Sequence, residues 1–188
     1  VVYQSHIQNI GWQKTVTDGA MSGTQGKALR LEGVKVNLDN ATYAGRIEYQ
    51  VHIQGIGWQS KVSNGAMAGT TGQARRLEAI KLSLTDELSS RYDIYYRVHV
   101  QNLGWLSWAK NGASAGSQAL SARMEGIEIK LVPKETGAFE QSRAFVSGTT
   151  LSYQTHIQGI GWQASKGNNQ VSGTTGQGKR IEALKVST

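Results

Sequence analysis

The segment from Tyr49 to Trp58 reads Tyr-Gln-Val-His-Ile-Gln-Gly-Ile-Gly-Trp, and close copies of it begin at Tyr3, Tyr96 and Tyr153. Each copy ends on a Gly-Trp pair, and successive tryptophans of these pairs lie 46, 47 and 57 residues apart. Self-similarity at a period of this size is typical of repeat architectures. We therefore predict that the 188 residues contain four copies of one unit of about 46 residues.

A second motif follows each of these tryptophans at a constant distance. The twentieth residue after the tryptophan is always a glutamate, which follows an arginine and an apolar residue, as in Arg76-Leu77-Glu78. The glutamates are Glu32, Glu78, Glu125 and Glu182. Because this interval never varies, insertions fall between units. We predict that the four units share one fold, with their tryptophans in equivalent positions.

The start of each unit has the pattern of a β-strand. In the second copy Ile47, Tyr49, Val51 and Ile53 alternate with polar residues, and a period of two indicates a half-buried strand. Dipeptides typical of hairpin turns follow at Asp18-Gly19, Asn64-Gly65 and Asn111-Gly112, and the fourth unit has Asn168-Asn169 there.

The end of each unit is predicted to be a second strand, residues 76–84 in the second copy. Its apolar residues change phase at Ala79-Ile80, which predicts a β-bulge there. A small residue at the position of Ala79 indicates close approach by another backbone or by an aromatic ring. The small residues are Gly33, Ala79, Gly126 and Ala183. Arg76 and Glu78 are expected on one face of this strand as an ion pair within or between units.

The units are predicted to share a core, because about 40 residues bury too little apolar surface to fold alone. The first three follow each other closely, whereas Pro133 and a polar stretch precede the fourth. We predict a three-repeat module at 1–134, a linker at 135–150 and a fourth repeat at 151–188. The predicted fold class is all-β, with a pseudo-threefold β-prism or trefoil-like module plus one further repeat. A β-solenoid or a four-bladed propeller is the alternative, since four units of this length also suit short blades.

Composition limits the classes of partner. The net charge of +7 favours anionic partners, but the basic residues are scattered, so no specific nucleic acid is predicted. The absence of cysteine excludes disulfides, thiolate metal sites and a cysteine nucleophile. No stretch approaches 18 apolar residues, so no membrane span is predicted. The chain starts at Val1 without a signal peptide, so we expect a fragment of a longer protein.

The segments at residues 49–58 and 76–82 resemble the ChW repeat, the family called clostridial hydrophobic with conserved tryptophan. The resemblance covers all four units. It implies attachment or recognition outside the cell, on large secreted or surface proteins of Gram-positive bacteria, and it supplies no catalytic residues. The third unit departs most, with Leu106-Ser107-Trp108 after its Gly-Trp pair and Ser117-Gln118-Ala119 in place of Thr-x-Gly. If every unit carries a site, that of the third is altered.

The tryptophans and histidines are the candidate ligand-binding residues. The indoles of the Gly-Trp pairs are either core anchors between units or platforms for a sugar ring, and the core interpretation is favoured. Trp108 has no counterpart in the other units and lies in a polar stretch, so we expect an exposed ring whose removal changes stability little. The candidates are Trp12, Trp58, Trp105, Trp162, Trp108, His6, His52, His99 and His156.

Strand alternation places each histidine on the face away from the apolar side. There, a hydrogen bond to a neighbouring strand or unit is favoured over one to a ligand. No second histidine lies at ligand spacing within a unit, so neither a metal nor another cofactor is expected. A glycosidase needs two carboxylates at a set separation, whereas each unit repeats only one, beside an arginine that would hold it ionised. We therefore expect no catalytic residues and no enzymatic activity.

The leading hypothesis for function is non-catalytic recognition of a cell-surface or extracellular polysaccharide, such as a cell-wall glycan, by a module that anchors a larger secreted protein. The alternative is a protein–protein interaction module that joins secreted proteins and has no sugar site. The resemblance implies a location outside the cell or at the surface of a Gram-positive bacterium.

Overall fold

Two long antiparallel strands form the frame of every repeat, as the alternating apolar pattern predicts. The computed structural model describes residues 1–148, 151–167 and 170–187. The first strand of each repeat, here called the opening strand, spans Val2–Ile7, Ile47–Ile53, Tyr92–Val100 and Ser152–Ile157. The second, called the closing strand, spans Leu31–Asn37, Leu77–Leu84, Met124–Pro133 and Ile181–Ser187. These strands confirm the all-β prediction.

Each Gly-Trp pair turns back on the opening strand as a two-residue strand, with the tryptophan beside the histidine of its own repeat. These strands are Gly11–Trp12, Gly57–Trp58, Gly104–Trp105 and Gly161–Trp162. The same register recurs in all four repeats, so the predicted equivalence of the tryptophans is confirmed. A further short strand pairs with the opening strand at Val16–Thr17, Val62–Ser63 and Ala109–Lys110.

Two features between repeats complete the secondary structure. A short helix, Asp86–Arg91, joins the second and third repeats and buries Leu88; the sequence pattern did not predict it. In the fourth repeat, an isolated bridge between Tyr153 and Lys166 stands where the others have the further short strand. The predicted turn at Asn168-Asn169 lies outside the described residues. Within the described ranges, no helix is long and apolar enough to cross a membrane.

A β-bulge in each closing strand is confirmed, one residue earlier than predicted. In the second repeat Leu77 pairs with Ile53 and Ala79 pairs with His52, so the extra residue is Glu78 rather than Ala79 or Ile80. The same shift occurs beside His6, His99 and His156. The bulge explains why an apolar phase change and a buried glutamate coincide in this strand.

A third type of strand, here called the crossing strand, joins the first three repeats. It spans Ser22–Gly23, Ala68–Gly69 and Ala115–Gln118. The crossing strand of the first repeat pairs with the closing strand of the third, that of the second with the first, and that of the third with the second. This exchange closes after three repeats, which confirms the predicted pseudo-threefold module. In a solenoid the exchange of strands would continue from repeat to repeat without closing. In a four-bladed propeller it would close after four repeats.

Glycine allows the crossing strand to lie directly on its neighbour. Gly69 has a φ of +118°, and a Cβ on it would lie 2.4 Å from the carbonyl oxygen of Glu32 and 2.6 Å from Cα of Gly33. On Gly33 itself, a Cβ would lie 3.5 Å from the ring of Trp12. The small residue in the closing strand therefore accommodates both another backbone and an aromatic ring, as predicted.

Buried tyrosines tie each of the first three repeats to its neighbour. The Tyr49 hydroxyl accepts a hydrogen bond from the backbone N–H of Val36, in the first repeat, at 3.1 Å. It donates to the carbonyl of Ala66, just before the crossing strand. Tyr3 and Tyr96 hold the equivalent positions. Burial raises the pKa of Tyr3 to about 12 and also raises the pKa of Tyr49 and Tyr96, so each hydroxyl keeps the proton that it donates.

Tyr49→Phe is expected to lower the free energy of unfolding by about 2–3 kcal/mol, because a buried N–H and a carbonyl lose their partner while the ring still fills its site. Equilibrium unfolding in guanidinium chloride measures the change. Tyr43→Phe is the matched control, since the Tyr43 ring contacts Tyr92 and Arg91 and its hydroxyl makes no hydrogen bond within the described residues. Equal losses for both variants would contradict the bridging role of Tyr49.

The first compact unit extends to Ser147 rather than to residue 134, where the module was predicted to end. Residues 145–147, within the segment predicted as a linker, form a strand that pairs in parallel with Ala115–Gln118. Earlier in that segment, Phe139 lies on Trp108, with ring centroids 5.0 Å apart. The polar composition of the segment did not indicate this role, because only one short strand and one aromatic ring hold the segment against the module.

Trp108 is buried, so the prediction of an exposed ring is wrong. Only 9% of its surface is accessible, and its backbone N–H donates to the carbonyl of Glu140. Arg97 and Lys130 lie over the indole at 4.8 and 5.4 Å from the ring centroid. The other repeats have no tryptophan at the position of Trp108. They also have no segment equivalent to residues 139–143, which cover this ring in the third repeat.

The second compact unit, Gly148–Thr188, contains the fourth repeat. Its opening and closing strands pair in the register of the other repeats. Ile157 is fully buried, but the whole closing strand is exposed. One repeat thus forms its own hairpin and leaves open the face that the first three repeats cover for each other.

Candidate functional site

Every repeat builds the same cluster of side chains around its Gly-Trp pair. The opening strand supplies a histidine, the short Gly-Trp strand a tryptophan, and the bulge of the closing strand a glutamate with the arginine before it. We call this set the Trp-His-Glu-Arg cluster. Its members are Trp12, His6, Glu32 and Arg30; Trp58, His52, Glu78 and Arg76; Trp105, His99, Glu125 and Arg123; and Trp162, His156, Glu182 and Arg180.

The glutamate is held from two sides. In the second repeat, one carboxylate oxygen of Glu78 lies 2.8 Å from the Arg76 guanidinium, and the other lies 3.0 Å from Nδ1 of His52. The predicted Arg–Glu ion pair is therefore confirmed as local to the repeat. In the first three repeats Nδ1 of the histidine lies near the carboxylate but does not form a hydrogen bond with it. In the fourth repeat His156 does form this hydrogen bond, to Glu182 at 3.1 Å.

Each histidine thus lies against a neighbouring strand of its own repeat, but Nδ1 makes the predicted hydrogen bond to that strand in the fourth repeat alone. Glu32, Glu78 and Glu125 are only 5–7% exposed, so the bulge carries the carboxylate inward to meet the histidine. The arginine is the partner that compensates the charge, because a buried carboxylate without it would be left unpaired.

The indole of the cluster contacts two neighbours, the imidazole of its own repeat and a cation that lies over its ring. The imidazole meets it edge to face, with ring centroids 5.3–5.5 Å apart in all four repeats. In the second repeat the Lys81 ammonium lies 4.4 Å from the centre of the Trp58 ring. Lys35 and Lys185 take this position in the first and fourth repeats, at 4.5 and 4.3 Å. Such cation–π contacts orient the ring and strengthen as water is excluded.

The third repeat supplies the cation from the other strand. Arg97, on the opening strand, lies 4.9 Å from the centre of the Trp105 ring and 4.8 Å from that of Trp108. Glu128 stands on the closing strand where the other repeats have lysine, and it pairs with Arg97 at 2.7 Å. The surroundings of the third indole therefore differ from those of the other three, because one guanidinium contacts two indoles.

A shallow groove of about 290 Å³ opens beside this guanidinium. Its lining residues are Arg97, Trp105, Leu106, Ser107, Trp108, Phe139 and Glu140. The repeat pattern did not indicate Phe139 and Glu140, because they lie outside the repeat. An aromatic in a polar segment near an unmatched tryptophan was the only signal that pointed to them.

The tryptophans of the Gly-Trp pairs lie between the core and the surface. Trp12, Trp58 and Trp105 are partly buried, whereas Trp162 is 43% exposed. Beside them, the residue before the Gly-Trp pair is an exposed isoleucine in three repeats: Ile10 at 52%, Ile56 at 50% and Ile160 at 47%. The turn that presents it has a residue with positive φ, such as Asn9 or Gly55. Sequence analysis did not predict this isoleucine, although its position between two turn residues was the available signal.

The structure brings each predicted histidine together with the tryptophan of its own repeat, and it places Trp108 beside Trp105 alone. Among residues 1–148, 151–167 and 170–187, no group of three or more histidine, cysteine, aspartate or glutamate side chains could hold a metal ion. Each cluster contains a single carboxylate, fixed by an arginine. Each cluster thus brings together a partly exposed indole and a cation, with an exposed isoleucine beside them in the first, second and fourth repeats.

Comparison with known proteins points to one family. The sequence model of the family described as clostridial hydrophobic W matches four times, at residues 6–40, 52–86, 99–133 and 156–187. Each match begins at the histidine of the Trp-His-Glu-Arg cluster. No curated protein and no solved structure matches the chain. Since the four matches cover well over half of its length, the chain belongs to the clostridial hydrophobic W family.

Proposed function

We propose that the chain is a non-catalytic binding module that recognises a polysaccharide outside the cell or at the surface of a Gram-positive bacterium, and so anchors a larger secreted protein there. The observation that carries the proposal is the fourfold recurrence of one partly exposed indole, fixed by its histidine and topped by a cation. A polymer with repeating units offers repeated partners to such sites.

Multivalency supports a polymer as the ligand. One aromatic contact contributes about 1 kcal/mol, which gives weak binding by itself. Several sites that engage one polymer raise the apparent affinity by about 10²–10⁴-fold through effective concentration. Short soluble oligosaccharides cannot bridge two repeats, so they should compete poorly with an insoluble wall glycan.

A protein partner is the second candidate, and the exposed isoleucines favour it. Ile10, Ile56 and Ile160 stand at equivalent turn tips, where a sugar would gain little from an aliphatic side chain. Their recurrence at one position in three repeats distinguishes them from apolar side chains that are scattered singly over a surface and need no explanation.

A pull-down with insoluble Gram-positive cell-wall glycan tests the proposal across a salt series. The +7 charge should add binding at low salt that fades as the Debye length falls from about 10 Å at 0.1 M to about 3 Å at 1 M. Indole contacts should survive, so we expect a retained fraction at 1 M salt. Complete loss at 1 M would leave only charge and contradict the proposal.

Two variants separate the candidate functions. Joint replacement of Trp12, Trp58, Trp105 and Trp162 by phenylalanine keeps an apolar ring on each cluster but shrinks the platform, so it should remove the fraction retained at 1 M salt. Joint replacement of Ile10, Ile56 and Ile160 by serine should leave that fraction unchanged. The opposite pattern, with saturable binding to a secreted protein, would favour the protein partner.

A further inference from the structure

The fourth repeat exposes the residues that the first three repeats bury against each other. Ile181, Leu184 and Val186 are 57%, 59% and 55% exposed. Their counterparts in the first repeat, Leu31, Val34 and Val36, are at most 1% exposed. The counterparts in the second and third repeats are equally buried: Leu77, Ile80, Leu82, Met124, Ile127 and Ile129. An exposed apolar strip of this kind on one strand is typical of a surface that binds another protein segment.

The fourth repeat also carries the segment that covers such a strip elsewhere. Gly173 has a φ of +132°, close to the values of +118° to +126° at the crossing-strand glycines of the first three repeats. The hydroxyls of Ser172 and Thr155 lie 2.8 Å apart, as do those of Ser22 and Ser5 at 2.9 Å. The segment thus has the docked conformation, but a Cβ on Gly173 would meet only isoleucine methyl groups, at 3.9 Å.

We propose that the fourth repeats of three copies of this chain associate into a ring that reproduces the exchange seen among the first three repeats. The segment Ser172–Gly173 of one copy would pair with the closing strand of the next. In the first module, Gly23 pairs with Gly126 and Ser22 with Ile127. By the same register, Gly173 pairs with Ala183 of the next copy and Ser172 with Leu184.

Copies of the fourth repeat fit this strip as its occupant. Both halves of the interface are present on one repeat, so the contact is head-to-tail, and a head-to-tail contact forms a ring when its rotation closes. The pairing of the first module shows that this rotation closes on three. Ala183 leaves room for the incoming glycine, because Ala79 accepts Gly116 in the same position.

The ring goes beyond the proposed function and does not depend on the ligand. It would gather the three-repeat modules of three chains into one particle. A polymer could then engage sites on several modules at once, with the gain in apparent affinity that effective concentration provides.

Sedimentation velocity of the full chain over a dilution series tests the stoichiometry. We expect a shift from the mass of one chain to that of three as concentration rises. Leu184→Lys should abolish the shift, and Gly173→Val should do so by blocking the approach of the next strand. Gln177→Lys is the matched control: it adds the same charge at an exposed turn residue, where the first repeat has Lys27, and should leave the shift intact.

Disulfide cross-linking tests the register of the pairing. The chain has no cysteine of its own, so any disulfide must join the introduced residues. Ser172→Cys and Leu184→Cys are made in separate chains, mixed and oxidised. A disulfide between the two different variants should form well above the level of either variant alone. A chain that stays monomeric at every concentration, a dimer, or cross-linking without preference for the mixed pair would each overturn the proposal.

Discussion

Gly69→Ala is expected to lower the free energy of unfolding of the three-repeat unit by more than about 4 kcal/mol, and so to leave it largely unfolded. Two causes add. The φ of +118° is one that L side chains rarely adopt, and the new Cβ would lie 2.4 Å from the carbonyl oxygen of Glu32. Neither partner can move away, because both belong to the backbone of paired strands.

Gly72→Ala is the matched control for this substitution. Gly72 also has a positive φ, +69°, but nothing lies within 4 Å of a Cβ on it. The backbone conformation alone costs about 1–2 kcal/mol. Guanidinium unfolding followed by tryptophan fluorescence compares the two variants. Similar losses for Gly69→Ala and Gly72→Ala would show that the crossing strand does not lie on its neighbour as described.

The repeat itself was predictable because its pattern is local. Alternation of apolar residues places the opening strand, and a constant interval from Trp58 to Glu78 fixes the register between repeats. The small residue at Ala79 even indicated the close approach of another backbone. The bulge fell one residue away from its prediction, because a phase change in apolar residues is equally compatible with an extra residue on either side of Ala79.

The exchange of crossing strands could be inferred only in outline. Residues such as Ala68-Gly69 form a two-residue strand, which is too short to give a periodic signal. Their partner lies in another repeat, and fourfold repetition of a motif does not say which repeat covers which. The requirement for a shared core predicted that the units pack on each other, and three closely spaced units favoured a threefold module over a solenoid or a propeller. The direction of the exchange depends on packing that no single repeat specifies.

The candidate site was predictable in its members but not in its geometry. The histidine and tryptophan stand out by their repetition, yet the cation over the indole comes from an ordinary strand lysine such as Lys81. In the third repeat Glu128 takes the position of this lysine, and Arg97, on the opening strand where the other repeats have glutamine, supplies the cation. Repetition therefore identifies which residues matter, while departures from it identify where a site has changed.

Trp108→Ala is expected to lower the free energy of unfolding by about 3–4 kcal/mol, in the range found when a buried aromatic side chain is truncated. The ring is 9% exposed and contacts Phe139, Arg97 and Lys130, so its removal leaves a cavity under residues 139–147. These residues should also become more sensitive to proteolysis, because Phe139 then loses one of the two rings against which it packs.

A double-mutant cycle with Phe139→Ala tests whether Trp108 acts through this segment. Each ring stabilises the other, so the combined loss should fall short of the sum of the single losses by about 0.5–1.5 kcal/mol. Additive losses would mean that Trp108 stabilises the third repeat independently of Phe139. A loss below about 0.5 kcal/mol for Trp108→Ala would restore the exposed ring predicted from the sequence and return this indole to the set of free binding platforms.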